Sequence, residues 1–145
     1  MFDVMAKDEP DLRSELECFP EIDPGVEVLG DRILVQLRRE KNTSRGGIIL
    51  VDETRQTLRF NETVAKVLQI GPLAYKSPDD LTPWVEGPWC QVGDLVRTIK
   101  YGGDRFVVQP DDEGAPVVFI TIQAREVISK IKSFEAAQKM KAFVD

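Results

Sequence analysis

The chain has 145 residues, with 19 Lys and Arg against 25 Asp and Glu, a formal charge of −6 and a pI near 4.8. That length suits one domain with tails, and the acidic balance argues against a general nucleic-acid binder, whose affinity comes from clustered Lys and Arg. Histidine is absent and Cys18 and Cys90 are the only cysteines, which excludes His-dependent nucleophilic triads, the usual neutral-pH general base and the common structural zinc sites.

At 42% hydrophobic and 30% charged residues the composition is that of a globular protein. The N-terminus lacks the basic and apolar regions of a secretory signal, and no apolar run is long enough to span a membrane. The two thiols are therefore expected free in a reducing cytoplasm, with a single disulfide as the alternative. Residues 1–27 are rich in Asp and Glu, carry Pro10, Pro20 and Pro24, and read as an acidic, solvated arm. Leu12, Leu16 and Phe19 have helix-like spacing, which leaves open that they dock on the body or on a neighbour.

After a turn at Gly30-Asp31, the alternation of Ile33, Val35 and Leu37 predicts a strand over 32–38 with one apolar face. From Glu40 to Asn61 the pattern dissolves into a long polar loop with an apolar centre, Ile48-Ile49-Leu50-Val51, preceded by Gly46-Gly47. Residues 63–70 read as a second strand ending at the turn signal Gly71-Pro72. Residues 72–91 hold four prolines with Trp84 and Trp89, a density that forbids a central strand or helix and predicts a long excursion. Strands follow over 95–99, 105–109 and 116–123, with a tight turn at Gly102-Gly103. A short strand is expected within 126–131, then a helix over 134–143 capped by Ser133. Several short strands with Gly/Pro turns between them indicate an all-β barrel or sandwich.

Most candidate motifs have a plain explanation. Asp79-Asp80 and Asp111-Asp112-Glu113 read as solvated turn residues, neither a catalytic acid pair nor a calcium site. Gly46-Gly47 and Gly102-Gly103 lack the Lys-Ser/Thr that follows a phosphate loop. The loop over 40–61 differs, because loops of this length in compact domains tend to be functional or disordered. Its four apolar residues either form a core strand or offer an anchor to a partner, the loop folding as it binds.

The order of these features resembles the GroES-like co-chaperonins, the lids of cage-forming chaperonins. Gly30-Asp31-Arg32-Ile33-Leu34-Val35 is similar to the family's opening strand, and Gly46-Gly47-Ile48-Ile49-Leu50 to the Gly-Gly-Ile-hydrophobic-Leu of its mobile loop. Val64 to Gly71, Val92-Gly93-Asp94-Leu95-Val96, Tyr101-Gly102-Gly103 and Glu126-Val127-Ile128 follow in family order. The resemblance covers about residues 28–132.

It implies an irregular β-barrel, with a mobile loop over 40–61 and a roof over 72–91, assembled into a ring of usually seven copies. The first strand of one subunit would meet the last strand of its neighbour. It also implies binding to a nucleotide-bound, GroEL-like chaperonin through Gly46, Gly47, Ile48, Ile49, Leu50 and Val51, enclosing an unfolded substrate polypeptide. ATP would be hydrolysed by the chaperonin, so the chain would need no cofactor, metal or catalytic residue of its own, and no nucleic acid or membrane partner. The arm over 1–27 and the tail over 133–145 are additions to the family pattern, and the proline-rich stretch over 72–91 puts the roof's form in question. Some bacteriophages encode divergent co-chaperonins to fold capsid proteins, which leaves a phage source and the host cytoplasm open. The competing reading is a barrel binding module for single-stranded nucleic acid or glycans, with Trp84, Trp89 and Tyr101 as its stacking face. An enzyme built on the similar barrel of zinc alcohol dehydrogenases lacks the His, the cysteine cluster and the nucleotide-binding half.

Overall fold

A computed structural model describes residues 12–39, 61–110 and 116–141. Six strands, β1 (Arg32–Leu37), β2 (Val64–Ile70), β3 (Leu95–Thr98), β4 (Asp104–Val108), β5 (Val117–Gln123) and β6 (Val127–Lys130), pair antiparallel in the order β4-β5-β1-β2-β3-β6. Each lies within one residue of the span that its alternation predicts. The sheet curls around one core, in which Ile33, Val35 and Leu37 of β1 meet Val118, Ile120 and Ile122 of β5, Val67 of β2, Val96 of β3 and Val127 of β6. This is the all-β, irregular barrel that the resemblance implies. A bulge between Leu34 and Val35 skips Leu68 in the β1–β2 register, adding the local twist that helps a sheet to curl.

β1 departs from expectation in two ways. Its second face is also buried, since Leu34 packs with Val28, Val117 and Phe119 and Gln36 is only 2% exposed. The cover comes from residues 19–28: the Gln36 side-chain amide donates to Pro20 O at 2.9 Å, which satisfies a polar group that burial would otherwise penalise. Second, β1 is paired on both sides, to β2 and to β5. It has no free edge for the ring contact that the resemblance implies. Among the described strands the open edges are those of β4 and β6.

The acidic arm is not simply solvated. Ser14 caps α1 (Glu15–Cys18) with a reciprocal Ser14–Glu17 capping box, after which Cys18 and Phe19 enter a small core with Val64, Leu95, Ile131 and Ala137. Of the three residues with helix-like spacing, Phe19 docks, whereas Leu12 and Leu16 stay exposed. At the other end, Ser133 caps α2 (Phe134–Gln138), its Oγ accepting from Ala136 N at 3.1 Å. This helix is shorter than the expected 134–143. Lys139 ends it, with its N–H directed to Ala136 O and Ala137 O.

The β3–β4 turn depends on glycine. Gly102 and Gly103 have φ of 106° and 70°, and a Cβ on Gly103 would lie 2.8 Å from the Cγ2 atoms of both Ile120 and Ile122. Gly103→Ala is therefore expected to cost about 1–3 kcal/mol through backbone strain and forced core displacement. Urea unfolding measures this, and an unchanged midpoint would contradict the packing described.

Candidate interaction site

Gly46, Gly47, Ile48, Ile49, Leu50 and Val51, and the alternative of a core strand over Ile48–Val51, lie outside the described residues, as does Asp111-Asp112-Glu113. What the fold does define is the pair of feet from which the 40–60 segment leaves β1 and rejoins β2. They are adjacent, since Arg38 N donates to Val64 O at 2.9 Å, one rung beyond the paired residues of the two strands.

A buried ion pair joins the feet. The side chains of Arg38 and Glu62 are 5% and 6% exposed. Arg38 Nε donates to Glu62 Oε1, and Nη2 donates to Glu62 Oε2 at 3.3 Å. The rest of the guanidinium is used on the C-terminal helix: Nη1 donates to Ala137 O and Nη2 to Met140 O, both at 2.7 Å. These carbonyls stand at and just beyond the C-terminal end of α2, where a cation is favourable. Burial pushes the Glu62 carboxyl up, while Arg38 and the N–H groups of Val64 and Thr63 pull against it. Sequence reasoning missed both residues, because a charged residue at a strand end and another at a loop end carry no periodic signal that they will meet.

The stretch over 72–91 forms a hairpin-like arch. Ser77 N donates to Thr82 O at 2.7 Å and Trp84 N to Tyr75 O at 3.0 Å, on either side of a Lys76–Pro83 bridge. Pro83 thus occupies a position from which the ladder needs no N–H. At the base of the arch Tyr75, Trp84 and Trp89 pack with ring centroids 5.3–5.6 Å apart. Tyr75 is buried with φ 60°, a left-handed conformation unusual for a large side chain. Its hydroxyl donates to Ala124 O at 2.8 Å and lies 3.4 Å from Cys90 Sγ. Burial, and then the contact with Cys90, push the Tyr75 hydroxyl far above its ordinary range, and burial pushes the Cys90 thiol up as well. These groups are packed and neutral, so they anchor the arch to the turn after β5.

The proposed stacking face is not assembled. Trp84 and Trp89 are engaged with Tyr75 and the barrel core, whereas Tyr101 is 78% exposed and lines a separate open groove of about 500 Å³ with Arg97, Ile99 and Ile128. Cys18 and Cys90 are buried in different clusters and are not joined in a disulfide. Asp79 and Asp80 are exposed in the arch, where hydrogen bonds from Thr82 lower the Asp80 carboxyl. Among the described residues, no group of three or more His, Cys, Asp or Glu could hold a metal, and no helix is long and apolar enough to cross a membrane.

The antiparallel strands, the long segment between the first two of them and the arch between the second and third stand in the order that the resemblance implies. The chain matches the family described as Chaperonin 10 Kd subunit over residues 25–131. It is 34% identical over 107 residues to a co-chaperonin GroES of Chlamydia pneumoniae, covering 74% of this chain and 91% of that protein. The co-chaperonin GroES of Chlamydia muridarum is 33% identical over the same shares, and that of Chlamydia felis 31% over 104 residues, covering 72% of this chain and 88% of that protein. The chain belongs to the chaperonin 10 family and is a GroES-like co-chaperonin.

The ion pair generates a sharp expectation. Removing one partner leaves an uncompensated buried charge, so Arg38→Met or Glu62→Leu alone should cost about 3–5 kcal/mol, whereas the double variant should cost much less than their sum. A double-mutant cycle by chemical denaturation measures the coupling. Strict additivity would show that the two charges do not depend on each other.

Proposed function

We propose that this chain caps a nucleotide-bound, GroEL-like chaperonin ring, with Ile48, Ile49 and Leu50 as the anchor of each subunit, and encloses an unfolded polypeptide while it folds. The observation that carries this reading is membership of the chaperonin 10 family over residues 25–131, a match that includes Gly46–Val51 between β1 and β2.

The energetics agree. Burying three large aliphatic side chains in a groove contributes about 1.5–3 kcal/mol each. Ordering the backbone costs about 1–2 kcal/mol per residue, so fixing five residues offsets most of that gain. A single anchor then binds weakly, while several on one ring act through effective concentration and give a tight but releasable cap. A seven-membered ring fits this need, and Gly46-Gly47 supply the backbone freedom to set the anchor forward. ATP belongs to the chaperonin, so the chain needs no cofactor or catalytic group, and neither nucleic acid nor membrane is a partner. The work is done in the cytoplasm; with a phage source, that is the host's cytoplasm and a capsid protein is the natural cargo.

Ile49→Asp should abolish capping and leave the assembly intact. Native mass spectrometry should give about 115 kDa, seven copies of the 16.4 kDa chain, for both forms. Normal capping by the variant would refute the anchor assignment, and a monomeric wild-type chain would refute the ring.

A further inference from the structure

The additions at both ends of the chain converge on the feet of the 40–60 segment. On the N-terminal side, Arg39 N donates to Cys18 O at 2.9 Å, and Arg13 Nη2 donates to Arg39 O at 2.8 Å. On the C-terminal side, the guanidinium of Arg38 takes the carbonyls of Ala137 and Met140 while holding Glu62 of the opposite foot. The two additions also touch each other, since Gln138 Nε2 donates to Arg13 O at 3.3 Å. Beneath these polar contacts, Cys18, Phe19 and Ala137 share a core with Val64 and Leu95, and Phe134 and Met140 pack against it. The contacts close a circuit from Arg13 to Arg39, along the backbone to Arg38, across to Glu62 and α2, and back through Gln138 to Arg13.

We propose that the two terminal additions form a clasp around both feet of the chaperonin-binding segment, and that this clasp, with Arg13 and Arg38 as positioning residues, sets the strength of capping. The inference rests on the lid reading above. Physically, a segment whose ends are held at a fixed separation and direction has fewer arrangements to lose on binding than one whose ends fray. A modest gain in each subunit is multiplied over the ring, because all anchors must engage together. The main core draws its side chains from the strands and the arch, and Phe134, Ala137 and Met140 lie in the smaller cluster outside it.

The test uses full-length chain carrying Arg13→Ala, Arg13→Lys or Phe134→Asp. Arg13→Ala removes the donor to Arg39 O at a half-buried site, Arg13→Lys keeps a donor for that carbonyl, and Phe134→Asp undocks α2 from the small cluster while changing no residue of a strand. Two readouts are taken: amide exchange at Arg38, Arg39 and Val64, and affinity for a purified GroEL-type chaperonin with ADP. Arg13→Ala and Phe134→Asp should exchange at least about tenfold faster at the feet, with β5 amides unchanged, and should cap at least about tenfold more weakly while ring mass stays the same. Arg13→Lys should recover most of both losses.

Unchanged protection at the feet would overturn the clasp. So would faster exchange with undiminished capping, which would show that the feet do not set affinity. Absence of any complex with the unmodified chain would instead overturn the lid reading, and the proposed use of the clasp with it.

Discussion

A guanidinium withdrawn from water needs acceptors for its N–H groups and a charge to balance it, and Arg38 finds both only when distant parts of the chain arrive together. Its carboxylate comes from the far end of the 40–60 segment, and two carbonyls come from the C-terminal helix. Such a pair contributes little net stability compared with a well-packed apolar substitute, but it penalises every arrangement in which one partner is missing. The site at which β1 ends and β2 begins is thereby specified, along with the seat of the C-terminal helix. In the proposed lid, defining the two roots of the 40–60 segment is the part of the work that falls to the barrel itself.

The same logic explains why β1 stands at the centre. It is paired on both sides and covered on both faces, with Gln36 on its outer face satisfied by Pro20 O. The N-terminal segment is thus a structural cover, although its composition reads as an acidic arm. The arch over 72–91 is anchored in a comparable way, by a buried Tyr75 whose hydroxyl reaches Ala124 across the barrel end and whose ring packs with Trp84 and Trp89. Four prolines do not prevent the arch, because its hydrogen bonds are carried by Ser77, Leu81 and Trp84.

The strands were legible because period-two alternation is a local signal and Gly/Pro turns mark its ends. Ile33, Val35 and Leu37 declared one face, and the glycine pair at 102–103 declared the tight turn. The second buried face of β1 was not legible, since its cover comes from Val28 and from residues around Pro20, and neither Gln36 nor Arg38 reveals a partner that far along the chain. Cys18 was hidden for the same reason, whereas Phe19 docks as its helix-like spacing with Leu12 and Leu16 left open. The proposed anchor, Gly46 to Val51, rests on the order of motifs along the chain and on no periodicity, and the described structure defines only the feet on either side of that segment. Trp84, Trp89 and Tyr101 illustrate the opposite limit: residue type alone grouped three aromatics, of which the fold packs Trp84 and Trp89 together and places Tyr101 apart on the surface.

The central claim is that this barrel is a lid, and the most direct measurement is co-elution of the unmodified chain with a purified GroEL-type chaperonin on size exclusion, with and without ATP or ADP. A complex that forms with nucleotide and is absent without it is the result this account predicts. A chain that elutes apart from the chaperonin under every nucleotide condition would contradict it.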